Sequence, residues 1–387
     1  MGSLEKGAEM PFRGVSMQDQ RAAFVAMAGV AGANVRAVCR SFGISPTTGY
    51  KWLGRAAAGD LVEHSRRPLC SPRTTPPALE AAVLAVRREH PTWGGRKIHH
   101  ALRLRGVGPL PHANTITGIL HRHGLIAPEA TEQRRPWQRF EKASPNELWQ
   151  MDFKGHFALG TGRRCHPLTV LDDHSRFALV LRACANERRR SVVPALTDAF
   201  RRYGLPERML MDNGPPWGKD FEHRHTKLTA WLMRLGIEPL HGRPHHPQTQ
   251  GKNERFNGTL NREVIAGASF ADLAAVQRRF DAWLEVYNRQ RPHQAIGDQP
   301  PASRYREAAR GFPARLAPIV YDDGLLVRRV SEGGCISLNN RRLFVSFAFE
   351  GHPVGLRPSQ RDGAFEVFFC RYRIGRLDLR DEAEQAT

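Results

Sequence analysis

From Trp149 to His156 the chain alternates: Trp149, Met151 and Phe153 are apolar, and Gln150, Asp152, Lys154 and His156 between them are polar. Period-two alternation predicts a half-buried strand with one apolar and one polar face. Two more strands, "CHPLTVL" and "RFALVLRA", follow across the turn "DDHS". Residues 189–203 then change to helical spacing, with Val192, Leu196, Phe200 and Tyr203 on one face and Gly204 as the stop. "RMLM" is a short apolar strand ending in "DNG". Leu228, Trp231, Leu232 and Leu235 mark a helix, "IEPL" is another strand, and a long helix begins near Gln250. Leu273, Val276, Phe280, Trp283, Leu284 and Tyr287 keep phase along a further helix over 271–288.

The flanks follow different rhythms. Residues 20–57 read as helices, and "VRAVCRSFGISPTTGYKWLGRAA" has helix-turn-helix spacing. Gly43 permits the turn, Ser45 caps the next helix, and Pro46 takes its first position, where the missing N–H costs nothing. Thr47, Thr48, Lys51 and Arg55 share that helix's polar face and are the candidate DNA contacts; the alternative is an ordinary helical hairpin. A second helical unit spans about 78–124, striped by Ile98, Ala101 and Leu102 and by Ile116, Ile119 and Leu120, with His112, Asn114, Thr115 and Arg122 on other faces as further DNA candidates. Residues 126–145 lack periodicity and carry Arg134, Arg135 and Arg139, which predicts a linker that tracks nucleic acid. Beyond about 317 the runs become short and alternating, separated by "EGG", "NNR" and "DGA", which predicts a small antiparallel β-barrel.

Charge sharpens this picture. Fifty-eight Lys+Arg against 38 Asp+Glu give a formal net charge of +20 over 387 residues, so a polyanionic partner is expected, nucleic acid before membrane. No run of apolar residues is long enough to cross a bilayer, and "MGSLEKGAEM" lacks the core of a signal peptide, so a cytoplasmic, nucleoid-associated protein is expected. The six cysteines form no C-x-x-C pair, which argues against a zinc finger or a disulfide framework. No G-x-x-x-x-G-K-[ST] loop is present, which argues against ATP hydrolysis.

Three acids stand out together, although each alone is bland. Asp152 sits in the first strand, Asp212 ends the fourth, and Glu254 lies in a following helix about 200° around the wheel from Phe256. Alone, "DNG" is turn chemistry and an acid in a first helical turn is a dipole preference. Three strands in a meander followed by α-β-α-β-α is, however, the order of an RNase H-like fold, in which the first and fourth strands are neighbours. In-line cleavage of a phosphodiester needs two divalent ions held by oxygen ligands, and three converging carboxylates with the scissile phosphate supply them.

"LWQMDFKG", "LTVLDDHSRF", "LMDNGPPW", "GRPHHPQTQGKNERFNGTL" and "VYNRQRPHQAIGDQPPASRY" occur in this order. Together they resemble the integrase core of bacterial insertion-sequence transposases, the D-D-E recombinases related to retroviral integrases, over roughly 20–380. The resemblance implies that Asp152, Asp212 and Glu254 are catalytic and bind two Mg²⁺ (or Mn²⁺) ions. It also implies double-stranded DNA as partner, at least a dimer in the synaptic complex, and strand cleavage followed by strand transfer. Rival readings are a nuclease of the same fold that does not join ends, and a DNA-binding derivative with an inactive core. The 41 residues from 213 to 253 exceed the family's usual spacing, and Asn261 stands where the family often has Lys or Arg. Lys252, Arg255, Asn257 and Arg262 around Glu254 are expected to meet DNA; Asp172 and Asp173 are expected to be structural. The expected organisation is helix-turn-helix 18–60, a second such module 76–125, linker 126–145, RNase H-like core 146–268, a helical extension 269–312 and a β-barrel 317–380.

Overall fold

The structure, a computed structural model, describes residues 16–62, 64, 74–126, 141–212, 214, 216–218, 225–242 and 251–380. Arg134, Arg135 and Arg139 of the expected linker lie outside the described residues. The chain divides into two compact units, with the boundary after Thr74.

The first unit is three short helices: α1 (Met17–Ala28), α2 (Val35–Ser41) and α3 (Pro46–Ala57). Each starts at a side-chain cap: Ser16 for α1, Asn34 for α2 and Ser45 for α3, the last followed by Pro46 at the first helical position. Gly43 takes a left-handed φ of 64° between α2 and α3. Phe24, Ala28 and Cys39 form the core. Gly49 lets α3 approach it closely: a Cβ there would press on Cys39 and lie 2.9 Å from Phe24 Cζ.

The second unit begins with α4 (Pro77–Glu89), α5 (Gly95–Leu104) and α6 (Ala113–Arg122), packed around Val83, Val86, Trp93, Ile98, Leu102, Ile116, Ile119 and Leu120. This helical core also takes in Val286, and Thr92 donates to Glu263 at 3.1 Å, so the module is seated on the elements that follow it.

Those elements surround one mixed sheet. Its strands are β1 (Trp149–Phe153), β2 (Phe157–Ala158), β3 (Arg164–Asp172), β4 (Ala178–Cys184), β5 (Arg208–Met211) and β6 (Glu238–His241). β4, β3, β1, β5 and β6 lie side by side; β1 runs antiparallel to β3 and parallel to β5, and β2 pairs with the start of β3. This is the strand order expected of an RNase H-like core. The single strand expected through His156 is interrupted where Gly155 adopts a φ of 88°. α7 (Arg189–Tyr203) and α8 (Lys227–Arg234) cover one face, where Trp149, Met151, Met209 and Met211 meet Val192, Leu196, Phe200, Leu228 and Leu232. α9 (Gly251–Leu260), a π-helical turn (Asn261–Ile265) and α10 (Leu273–Arg289) cover the other, where Leu171, Ala178 and Leu181 meet Phe256, Leu260, Val276 and Phe280.

The C-terminal antiparallel domain contains β7 (Leu326–Arg329), β8 (Cys335–Leu338), β9 (Arg341–Phe344), β10 (Pro353–Pro358), β11 (Ala364–Phe369) and β12 (Tyr372–Asp378). β12-β11-β10-β7 form one sheet and β8-β9 a hairpin, turned by Asn339 and Asn340 with φ of 48° and 61°. Their core of Val330, Ile336, Phe349, Val354, Leu356, Val367 and Phe369 takes in Ala230 and Met233 of α8. Among the described residues no helix is long and apolar enough to cross a membrane.

Candidate active site

The alternation in β1 decides where its carboxylate points. Trp149 and Met151 are drawn into the core under α7 and α8, so Gln150 and Asp152 are turned to the face that α9 covers. β5 repeats this with Met209 and Met211. Trp149 pairs with Met209 and Gln150 with Leu210, so the same parallel register carried two residues on sets Asp152 beside Asp212. Adjacent strands are about 4.8 Å apart, which leaves little distance between two carboxylates there.

The surroundings raise the proton affinity of both. Burial first, and the Asp212 charge second, push Asp152 up to about 6, against the pull of a hydrogen bond from Asn257 Nδ2 at 3.0 Å. Asp212 is exposed by its accessible surface, yet its carboxyl is crowded enough that desolvation raises it, with the Glu187 charge adding to this. The Gly214 N–H, donating at 3.1 Å, works the other way. Glu187 acts on both acids and is held by His166 Nδ1 at 2.9 Å. Sequence reasoning missed Glu187, because no periodicity marks "CANERRR" between β4 and α7. Paired oxygen donors that repel one another suit a hard divalent cation, which removes the repulsion.

Glu254 is placed differently. It lies on α9 three residues before Asn257, a rise of about 4.5 Å along the axis from the side chain that touches Asp152. It is exposed, and among the described residues no group of three His, Cys, Asp or Glu is gathered closely enough to hold an ion. The structure therefore brings Asp152 and Asp212 together and leaves Glu254 outside the pair.

The remaining candidates divide by what they touch. Lys252 and Asn257, expected at a DNA surface, turn inward: Lys252 Nζ pairs with Asp173, and Asn257 is buried against Asp152. The reason is that α9 has a second packed face, polar rather than apolar, which lies on β1. Arg55 donates to Asp60 Oδ2 at 3.0 Å and to the Val62 carbonyl, and lies over the Trp52 ring. Thr48 is engaged by the Ser45 cap, and Arg122 reaches Glu80 at 3.3 Å. Thr47, Lys51, Asn114, Thr115, Arg255 and Arg262 are exposed. His241 Nδ1 meets the Asp212 carbonyl at 2.9 Å. Asp172 is buried and accepts from the Asn146 and Ser175 N–H groups and from Ser175 Oγ.

Comparisons with known proteins agree with this layout. Integrase core domain family models match residues 142–247 and 235–301, a model of the IS481 family transposase C-terminal domain matches 325–385, and a homeodomain-like model matches 48–120. An uncharacterized 39.2 kDa protein of insertion element IS476 from Xanthomonas euvesicatoria is 29% identical over 63% of this chain and 68% of its own length. An uncharacterized 31.7 kDa protein of insertion element IS407 from Burkholderia multivorans is 28% identical, over 62% and 86%. The transposase InsD of the IS2 elements of Escherichia coli is 25% identical, over 57% and 76%. Among solved structures, a simian T-cell lymphotropic virus intasome chain, in complex with a PP2A regulatory subunit, is 16% identical with a TM-score of 0.37, covering 74% of this chain and 91% of that one. The chain therefore carries an integrase core over 142–301 and a C-terminal domain of the IS481 transposase type over 325–385, and the relatives it resembles are proteins of bacterial insertion elements.

Proposed function

We propose that the chain cuts DNA at the ends of its own element and joins the freed 3′-hydroxyl to target DNA, using Asp152, Asp212 and Glu254. DNA phosphoryl transfer is the general chemistry of its family. The observation that carries the reading is the juxtaposition of Asp152 and Asp212 on neighbouring parallel strands, at carboxyl ends where an open α/β sheet binds ligands. Asp152 and Asp212 would hold Mg²⁺ (or Mn²⁺), two ions on this reading, which would supply charge stabilisation for an in-line displacement at phosphorus. Their crowding makes the charged pair dependent on a cation. Glu254 completes the set when the first turn of α9 closes on the pair with DNA in place. Thr47 on α3, with Asn114 and Thr115 on α6, reads the terminal inverted repeats while Lys51 holds their phosphates, and two chains synapse two ends.

The exposed position of Glu254 favours one rival, a DNA-binding derivative without cleavage. The test is a plasmid that carries the repeats flanking the protein's own gene. Wild type is expected to nick it only with Mg²⁺ and to join precleaved ends, and Asp152→Asn to bind the same DNA without cutting. Equal activity of the two proteins ends the assignment; cutting without joining leaves a nuclease.

A further inference from the structure

Asp173 is a meeting point of three segments, and its side chain has no exposed surface. Its carboxylate accepts from the backbone N–H of Lys142 at 2.8 Å, where the chain enters the core. It accepts from Gln150 Nε2 at 2.7 Å, on the β1 face that carries Asp152. It also pairs with Lys252 Nζ, in the first turn of α9, two residues before Glu254. The Lys252 side chain is 16% exposed, and its ammonium reaches the Asp173 carbonyl as well, at 3.3 Å. A pair this far from water is not a surface ion pair of negligible worth: removing one partner strands the other.

Among the described residues, the other polar groups between that turn and β1 are poorly matched. The seam between α9 and β1 is polar, and polar contacts stabilise only where they are satisfied. Asn253 is 1% exposed, yet neither atom of its amide has a hydrogen-bond partner among the described residues. Asn257 Oδ1 and Gln150 Oε1 share that condition. Among the described residues, Asn257 ties α9 to Asp152 on β1, and Lys252 ties it to Asp173 in the turn after β3, which Gln150 of β1 binds in turn. The first four N–H groups of a helix have no partner within it, so side-chain anchors set where its first turn lies.

On the reading that Asp152, Asp212 and Glu254 are the working acids, we infer that Lys252 is a positioning residue rather than a DNA contact. Its buried pair with Asp173 sets how the first turn of α9 lies on β1, and so how far Glu254 stands from the two aspartates. Gln150 and the Lys142 N–H bind the same carboxylate, so strand, helix and entering segment share one anchor.

The test uses the full chain, Lys252→Met and Lys252→Arg, hydrogen exchange of the α9 amides, and cleavage of an element-end duplex with Mg²⁺ over a range of salt. Lys252→Met is expected to speed exchange over 252–258 about tenfold or more and to lower kcat by a similar factor. KM for the duplex and the salt slope should stay at wild-type values, and Lys252→Arg should restore both protection and kcat. A DNA contact would instead leave protection unchanged, weaken binding and reduce the salt slope by about 1; that result overturns the inference, as does wild-type protection with wild-type kcat. Where Lys252→Met fails to fold, Asp173→Asn, which keeps the shape of the junction, must loosen the same amides or the inference fails. A wild-type protein that never cleaves sinks the functional reading alone, because exchange still decides what holds the helix.

Discussion

Asp152→Asn should stabilise the metal-free protein. In the folded chain burial and Asp212 lift the Asp152 carboxyl to about 6, well above its range in an unfolded chain. At pH 4 the acid is protonated in the folded state and about half ionised in the unfolded one, so its placement costs little. Between pH 4 and 6 the unfolded chain ionises first, so stability falls as pH rises, and by pH 7 the whole cost is present. Two pH units at about 1.4 kcal/mol each set a ceiling of about 3 kcal/mol; the side chain is only half-buried, so solvent screening leaves about 1–2 kcal/mol. Asparagine has the same shape, and its oxygen still accepts from Asn257. Urea unfolding in EDTA is therefore expected to give matched midpoints at pH 4 and a higher midpoint for the variant at pH 7.5. Mg²⁺ should then stabilise wild type and not the variant, by about 2.7 kcal/mol at a hundredfold excess over Kd. A variant less stable than wild type at pH 7.5, or a difference that ignores pH, would refute the reasoning.

Arg291→Met should destabilise the second unit by about 3–5 kcal/mol in urea, because it strands Glu263, whose side chain is 10% exposed and keeps only Trp283 and Thr92 of its three donors. Gly49→Ala should cost about 1–3 kcal/mol, since the new methyl meets Cys39 and Phe24; faster hydrogen exchange in α1 to α3 is the readout. Lys51→Ala should weaken binding to every DNA sequence and reduce the salt slope by about 1. Arg55→Ala should act first on stability, because its guanidinium is spent on Asp60, Val62 and Trp52; a melting curve that does not move would put it back among the DNA contacts.

What the sequence disclosed follows from what periodicity measures. It detects apolar side chains drawn to one side, and so β1 and the span of α7 are legible in it. It cannot detect a face that is packed because it is polar. The expectation that Asn257 and Lys252 meet DNA has this origin: Asn257 is buried on Asp152, and Lys252 is paired with Asp173. Arg55 shows the same limit: a polar helical position near a C-terminus gives no sign in the sequence of the Asp60 carboxylate that its guanidinium meets. The seating of α4 to α6 on α10 and the π-helical turn carries no repeat either, because it rests on single residues, Thr92, Glu263 and Val286. Asp152 and Asp212 were legible as a pair because strand order makes their strands neighbours; Glu187, from a connection, was not.

The pleat of β1 joins two requirements in one frame. A slip of one residue against β3 would push Gln150 and Asp152 into the greasy layer under α7 and carry Trp149 and Met151 out to the carboxylate side. Misfolded and chemically blank are thus the same outcome for this strand. An insertion or deletion inside it has no halfway phenotype, and drift can reach it only through substitutions that keep odd positions oily and even positions wet.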